Sequence, residues 1–452
     1  MKARQLKEEY YKKGFFWSLK HLDSFKTTFS KELVAGLTTF LTMSYIIIVN
    51  PLILTDGTGM KFAGVLTATI LVSSISSILM GLYANLPYGL APGMGLNAFF
   101  TYTLVLTKKV SWETALGAVF ISGIIFVILS IFKVRRVIVE AIPLSLRKAV
   151  AGGIGLFIAF IGFKNAGFII SSPVTFVTLG KFNSGVILFL IGLLITAILI
   201  LYRVKGGLLL GIIITTLLAL PFGRVSLFDH NVLIKFTGNI FTLPDFKSVF
   251  LKMNIKGALT LGMIAPIFTF LFTDMFDSIS TFVGIAEVAD LTDKKGQPIN
   301  VGKALLVDAI STTISGPLGT SSGTTYIESA SGVEEGGRTG LTAVTTGLLF
   351  LPFLFFSNVI ETIPSFATAP ALVIVGVYMM NGIKEINFKD FEEGIPAFLG
   401  LILVPLSYSI TQGIIWGFLS YTLIKVLRGK AKEIHPMMYI IALFSVLALI
   451  AK

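Results

Sequence analysis

From residue 33 to its end the sequence is a succession of apolar runs, each about the length of a membrane-crossing helix, separated by short polar breaks. A helix rises about 1.5 Å per residue, so roughly 20 apolar residues cross a hydrocarbon core about 30 Å thick. Once in lipid, a chain must satisfy every backbone N–H and C=O internally, which leaves helices as the element these runs can form. Candidate spans are 33–54, 62–83, 87–106, 113–132, 143–167, 183–202, 206–222, 257–286, 301–316, 318–333, 339–358, 366–383, 394–410 and 412–428. The reading is an all-α polytopic membrane protein of about fourteen segments. A last apolar stretch, 437–451, is short for a span, and the sequence leaves open whether it crosses or lies at the interface.

Composition agrees: 54% of the residues are hydrophobic and 13% charged, about half the charged fraction of a soluble domain. The net charge of +12 sits in short clusters between apolar runs, which is the pattern of membrane orientation rather than of a nucleic-acid face. Lys2, Arg4, Lys7, Lys12, Lys13, Lys133, Arg135, Arg136, Arg147, Lys148, Arg203, Lys205, Lys294, Lys295, Arg338, Lys384, Lys389, Arg428, Lys430 and Lys432 all fall on one side by the alternation of spans. That side is expected to be cytoplasmic, with the N-terminus and the end of span fourteen. The first 30 residues are Lys-rich and aromatic and are expected to lie on the cytoplasmic surface.

The absence of cysteine removes thiol chemistry, disulfides and Cys-based metal sites. His21, His230 and His435 lie away from the unusual segments, which argues against a histidine relay or metal centre. There is no Walker A lysine to bind ATP and no HExxH. Gly319-Thr320-Ser321-Ser322-Gly323 spells the GxSxG of a hydrolase elbow, but in a membrane segment with no histidine near it in sequence. An enzyme is not the reading.

Spans three and ten share an anomaly. Span three opens Leu86-Pro87-Tyr88-Gly89-Leu90-Ala91-Pro92-Gly93-Met94-Gly95-Leu96-Asn97, and span ten lies within Gly316-Pro317-Leu318-Gly319-Thr320-Ser321-Ser322-Gly323-Thr324-Thr325-Tyr326-Ile327-Glu328. Both are broken first and helical later, because Pro removes a donor and Gly leaves the backbone loose. They stand seven spans apart, and an odd repeat of seven inverts its second copy in the membrane. A weaker echo links Thr39–Ser44 with Thr269–Asp274. Irregular backbone at membrane depth is tolerated only inside protein or along a cavity, so two facing breaks suggest a site. A kink or close packing is the plainer explanation of either break taken alone.

Carboxylates fall in the same region. Asp274 and Asp277 are three residues apart and so share a helix face, with Thr281 one turn further. Glu328 lies just inside the second half-helix. An ionisable residue near the bilayer centre costs at least roughly 2.5 kcal/mol, so retaining two implies a cavity, a partner or a function; a helix–helix hydrogen bond or a pair with a membrane Lys is the plainer alternative for Asp274 or Asp277. Such groups gain and lose protons and accept N–H bonds. Asn97, after the first break, can donate and accept. Asp308 has no adjoining break and is read as structural, and Glu334, Glu335 and Arg338 as a solvated rim.

The stretches Ala91–Phe100, Asp274–Gly284 and Gly319–Val333, in that order, closely resemble the AzgA-like branch of the nucleobase–cation symporter-2 (nucleobase–ascorbate transporter) family, over about residues 15–430. The resemblance implies two inverted repeats of seven. Core-domain segments would be 31–135 (spans one to four) and 255–360 (eight to eleven). Gate-domain segments would be 136–225 (five to seven) and 361–430 (twelve to fourteen). Residues 1–30 and 431–452 would flank them, and spans three and ten would carry short strands. It implies a secondary transporter in the cell membrane that imports adenine, guanine or hypoxanthine by proton symport, with no cofactor; sodium as the coupling ion stays open. Carried over by position, Asn97, Asp274, Asp277 and Glu328 would contact substrate, with Gly323 and Thr324 of the second break beside them. Asp277 and Glu328 would couple protons. Phe99, Phe276 and Tyr326 are candidate stacking surfaces, with ordinary packing as the plainer reading. Where the family pattern leads one to expect Gly, this chain has Ser280, which bears on base preference. Another solute of the same fold (uracil, xanthine or an anion) and a channel are the alternatives. Membrane lipid is the other expected partner, and pairing of two copies through the gate domain is left undecided.

Overall fold

The structure, a computed structural model, describes residues 9–132, 141–222, 239–292 and 298–450. Lys2, Arg4, Lys7, Lys133, Arg135, Arg136, Lys294, Lys295 and His230 lie outside the described residues, as do parts of the expected domain segments at 133–140 and 223–238.

The apolar runs are helices. Span one is Phe29–Met43 continued by Ile46–Thr55; spans two, four, five, six and seven are Phe62–Leu79, Trp112–Ile131, Leu144–Asn165, Ser184–Leu201 and Gly207–Phe222. Spans eight, nine, eleven, twelve, thirteen and fourteen are Ile264–Ala289, Val301–Leu318, Gly340–Phe350, Ser365–Met380, Phe391–Ser407 and Ile410–Leu427. Polar side chains start several of them by accepting from free backbone N–H groups: Thr28 from Lys31, Ser111 from Thr114, Asn183 from Val186 and Asp390 from Glu392.

Spans three and ten are the exceptions. In span three a strand, β1 (Leu90–Pro92), leads into the helix Met94–Ala98, which continues as wider π-helical turns over Phe99–Thr107. Two further strands, β2 (Ile169–Ser172) and β3 (Phe176–Leu179), form an exposed hairpin between spans five and six. In span ten β4 (Gly323–Thr325) precedes a six-residue helix, Ser329–Glu334. β1 and β4 pair antiparallel, Leu90 opposite Thr325, Ala91 opposite Thr324 and Pro92 opposite Gly323. The ladder is extended by Gly93 N–H to Ser322 O at 2.9 Å and Tyr326 N–H to Gly89 O at 3.0 Å. The two breaks therefore satisfy each other's backbone, as burial in a membrane body requires.

The second break begins later than its sequence suggests. Gly316 and Pro317 finish span nine, and a Cβ on Gly316 would stand 2.8 Å from the Leu116 carbonyl oxygen of span four, so this glycine serves helix packing. The stop is Gly319 at φ +97°, a left-handed position open to glycine, whose N–H closes the helix on Ser315 O.

Packing divides the helices into two groups. Spans one, two, four, eight, nine and eleven surround the strand pair, while five, six, seven, twelve, thirteen and fourteen pack among themselves. Within each group backbones approach closely at facing glycines, as with Gly81 and Gly340 in the first and Gly155 and Gly376 in the second. On one face of the body, residues 9–28 fold onto the first group: Tyr11 is 1% exposed and bonds Arg338 O, and Asn85 Nδ2 donates to Ser18 Oγ at 2.7 Å. The segment is anchored in the body by these side chains while others, such as Phe16 at 75% exposed, stay at the surface. Residues 437–450 belong to a further helix, Pro436–Ile450, packed against span fourteen and, through Phe444 on Phe268 at 6.3 Å, against span eight. Its 15 residues reach about 22 Å, short of the hydrocarbon core.

Candidate functional site

The strand pair is the centre on which the candidate residues converge. Span eight passes one side of β4, where Ser278 Oγ lies 2.8 Å from Thr324 Oγ1. Span nine passes the other. Its Thr312 hydroxyl reaches the Gly323 carbonyl at 3.0 Å and also bonds Asp274 Oδ2, so one side chain ties span eight, span nine and the strand together. Gly323 is needed for that approach, because a Cβ there would stand 2.1 Å from Ser311 Oγ. Gly323 therefore offers the site its backbone, and the Thr324 hydroxyl meets that of Ser278 and faces Asp274.

Asp274 and Asn97 are fully buried. Asn97 sits in the first turn of the span-three half-helix and its Oδ1 accepts from Ser321, a residue of the opposite break. Asp277 and Glu328 are half-buried. Glu328 immediately precedes the second half-helix rather than lying inside it, and its Oε1 accepts from the Tyr45 hydroxyl at 2.8 Å. Thus all six expected substrate-binding positions gather around one strand pair: Asn97, Gly323 and Thr324 from the breaks, Asp274 and Asp277 from span eight, and Glu328 at the mouth of the last half-helix.

Two residues of this cluster were not assigned to it by sequence reasoning. Asp308 is buried beside Asp274 and accepts from Thr325 Oγ1 at 3.2 Å, because β4 folds back along span nine. Its sequence context contains no break, and only the chain reversal brings it in. Tyr45 sits where span one is interrupted between Met43 and Ile46; the Thr39–Ser44 echo pointed to this neighbourhood but stopped one residue short. The aromatic candidates divide. Tyr326 spends its hydroxyl on Pro92 O at 2.6 Å, with its ring 6.4 Å from that of Tyr45. Phe99 packs edge-on against Phe270 at 5.0 Å and Phe276 against Phe272 at 5.5 Å, so core packing accounts for both. Ser280 is exposed, and Ser278 is the serine of that stretch that reaches the strands. Of the rim residues, Glu335 pairs with Lys205 at 2.9 Å.

Among the described residues no ion pair involves Asp274, Asp277, Asp308 or Glu328. Asp274 Oδ1, Asp308 Oδ2, Thr273 Oγ1 and Ser322 Oγ are buried without a hydrogen-bond partner among the described residues. A concentration of acids lacking cationic partners in a low-dielectric surround is a place to bind N–H donors, protons or a cation.

Residues 30–415 match the family model described as "Permease family". A chain of Methanocaldococcus jannaschii named as a permease, without a stated substrate, is 46% identical over 93% of this chain and 94% of its own length. The adenine permease AdeP of Escherichia coli is 41% identical, over 94% and 93%. The guanine/hypoxanthine permease PbuO of Bacillus subtilis is 41% identical, over 94% and 98%. Among solved structures, the transmembrane domain of the cyanobacterial bicarbonate transporter BicA superposes with a TM-score of 0.63 at 16% identity, over 85% of this chain and 98% of that one. The murine anion transporter Slc26a9 gives 0.61 at 10% identity, over 89% and 69%. These structures share the fold.

Proposed function

Because the chain belongs to the permease family of nucleobase–cation symporters, we propose that it imports purine bases by proton symport, binding them between spans three, eight and ten. The observation that carries this reading is the convergence of Asp274, Asp277, Asp308 and Glu328 on one strand pair without ion-pair partners among the described residues. A purine is flat, with N–H donors and ring-nitrogen acceptors along its edges. Carboxylates meet the donors; Asn97 and the free N–H groups where the span-three helix restarts meet the acceptors. Asp277 and Glu328, the half-buried pair, are the proton-coupling groups in this reading.

The two packing groups support a mechanism of relative movement. The first group, spans one to four with eight to eleven, acts as a core that carries the site, and the second as a gate against which it moves. By the alternation of spans the described arginines Arg147, Arg203, Arg338 and Arg428 fall on one face, which we take as cytoplasmic. The opposite face has lysines of its own, Lys61, Lys109, Lys164 and Lys181 among them, so the bias is one of degree.

The fold is shared with anion carriers, which makes an anion the second reading. An acidic cluster repels such a substrate, and this disfavours it. The deciding experiment is uptake of radiolabelled adenine, guanine and hypoxanthine into proteoliposomes under an imposed proton gradient, with and without an uncoupler and with sodium in place of the gradient. Saturable uptake that collapses with uncoupler supports proton–purine symport. No uptake of any of the three by folded protein would turn the assignment to uracil, xanthine or an anion.

A further inference from the structure

The two helix groups are held together at the face where span one ends by a set of polar contacts centred on Tyr102. Tyr102, 2% exposed in the π-helical part of span three, donates its hydroxyl proton to Asp56 Oδ2 at 2.9 Å, just beyond span one. The same hydroxyl oxygen accepts from Asn165 Nδ2 at 3.3 Å, and Asn165 is the last residue of span five in the other group. Lys164 places its ammonium 4.8 Å from the Tyr102 ring. One residue on, Thr103 donates to the carbonyl of Tyr408 at 2.5 Å, in the turn between spans thirteen and fourteen. Tyr408 has positive φ (52°) and packs its ring on Tyr102, Phe157 and Phe160. A third crossing joins Thr269 of span eight to Thr411 of span fourteen, 2.8 Å between hydroxyl oxygens.

At the other face the groups meet differently. There, among the described residues, the crossing ion pair is Lys205 with Glu335, whose side chains are 49% and 34% exposed. A solvated pair of this kind contributes little. At the Tyr102 face the Tyr102 side chain and the Thr269–Thr411 pair are buried while Asp56 is exposed and Asn165 half-buried, so breaking these contacts leaves a buried hydroxyl in need of a new partner, which costs more than parting a solvated ion pair. A cavity of about 360 Å³ opens beside the contacts, lined by Asp56, Lys164 and Asn165 with Ser365, Thr368 and Leu372. It lies between the groups and is lined by both partners of the Tyr102 hydroxyl, Asp56 and Asn165.

We infer that Tyr102 is the latch of a gate at this face: the hydrogen bond it accepts from Asn165, with Thr103–Tyr408 and Thr269–Thr411, holds the groups closed there, and its bond to Asp56 of its own group fixes the hydroxyl. Opening toward the cavity requires Tyr102 to release Asn165. The inference concerns movement between two packed groups and is independent of which solute the protein carries. The hydroxyl is the operative group, because the aromatic ring keeps its packing on Tyr408 when the oxygen is removed.

The absence of native cysteine makes a direct test available. Ile161 is 1% exposed and lies one helical turn before Asn165, on the same face of span five. An Ile161→Cys reporter would be treated with a membrane-impermeant maleimide in vesicles of either orientation, alone and combined with Tyr102→Phe or with Asn165→Ala. Labelling from the Tyr102 face should be slow in the reporter alone and rise roughly fivefold or more in both combinations, corresponding to about 1 kcal/mol, the net worth of a neutral hydrogen bond. Size-exclusion elution establishes that each variant is folded, and Phe in place of Tyr retains the packing. Rates in both folded combinations within about twofold of the reporter alone, or fast labelling of the reporter alone, would overturn the latch.

Discussion

The Thr312 hydroxyl stands 3.0 Å from the carbonyl oxygen of Gly323 and also serves Asp274 Oδ2, so a single proton is shared between a strand and a carboxylate. Replacing Thr312 by Val keeps the shape and removes the donor, leaving two buried acceptors short of a partner. The cost is expected at about 1–3 kcal/mol. It should appear as a fall of several degrees in the melting midpoint of the detergent-solubilised protein, together with weaker uptake. Wild-type values of both would remove Thr312 from this account.

Gly323 has a steric rather than a chemical claim on its position. Gly323→Ala would place a methyl 2.1 Å from Ser311 Oγ, closer than any real contact, and folded yield should drop sharply. Adding Ser311→Ala removes that oxygen and leaves the nearest atoms at 3.1 and 3.2 Å, on Val72 and Ser311. The double variant should therefore recover part of the yield lost by the single one. Size-exclusion profiles of the two compared with wild type decide it; equal loss in both would mean that the glycine is needed for its backbone freedom instead.

The Tyr45 hydroxyl donates to Glu328 at 2.8 Å. A hydrogen bond to a charged group is worth about 1.5–3 kcal/mol, so Tyr45→Phe should change the KM or kcat of uptake by on the order of tenfold, with a shifted pH profile. Glu328→Gln, which removes the ionisable group itself, should abolish proton-driven uptake while leaving substrate exchange at equal pH measurable. If Glu328→Gln retains normal pH-dependent uptake, Glu328 is not a coupling group.

Asp308 tests how far the carboxylate cluster acts as a unit. Asp308→Asn preserves an acceptor for Thr325, which lies 3.2 Å from Oδ1, but withdraws a charge from beside Asp274. If the two buried acids share in ion coupling, uptake under a proton gradient should fall at least about tenfold, a loss of about 1.4 kcal/mol or more, in a protein of normal melting midpoint. Normal uptake with a lowered midpoint would assign Asp308 to holding β4 alone.

Much of this architecture was legible without tertiary structure because membranes make strong local demands. A run such as Ser184–Leu201 must be helical wherever it packs, since lipid leaves its backbone no other partner. Likewise the Pro87–Gly95 and Gly319–Gly323 stretches could not be continuous helix, and their separation by seven spans, read together with the family resemblance, pointed to two inverted copies facing one another. Asn97, Asp274, Asp277 and Glu328 were locatable for the same reason: a polar residue in an apolar run stands out against its neighbours.

What depended on the assembled chain were the pairings. Gly316 and Gly319 are three residues apart and chemically identical, yet one is small to admit span four and the other is left-handed to end a helix. Asp308 looks like an isolated helical acid until β4 turns back along span nine, and Tyr102 looks like one more aromatic until Asn165 of the other helix group reaches its hydroxyl. The sequence by itself determined which segments cross the membrane and which cannot stay helical, because hydropathy and backbone chemistry act within a few residues. Only the tertiary structure decided which distant side chains share a proton or a hydrogen bond, because those partners are set by packing between segments far apart along the chain.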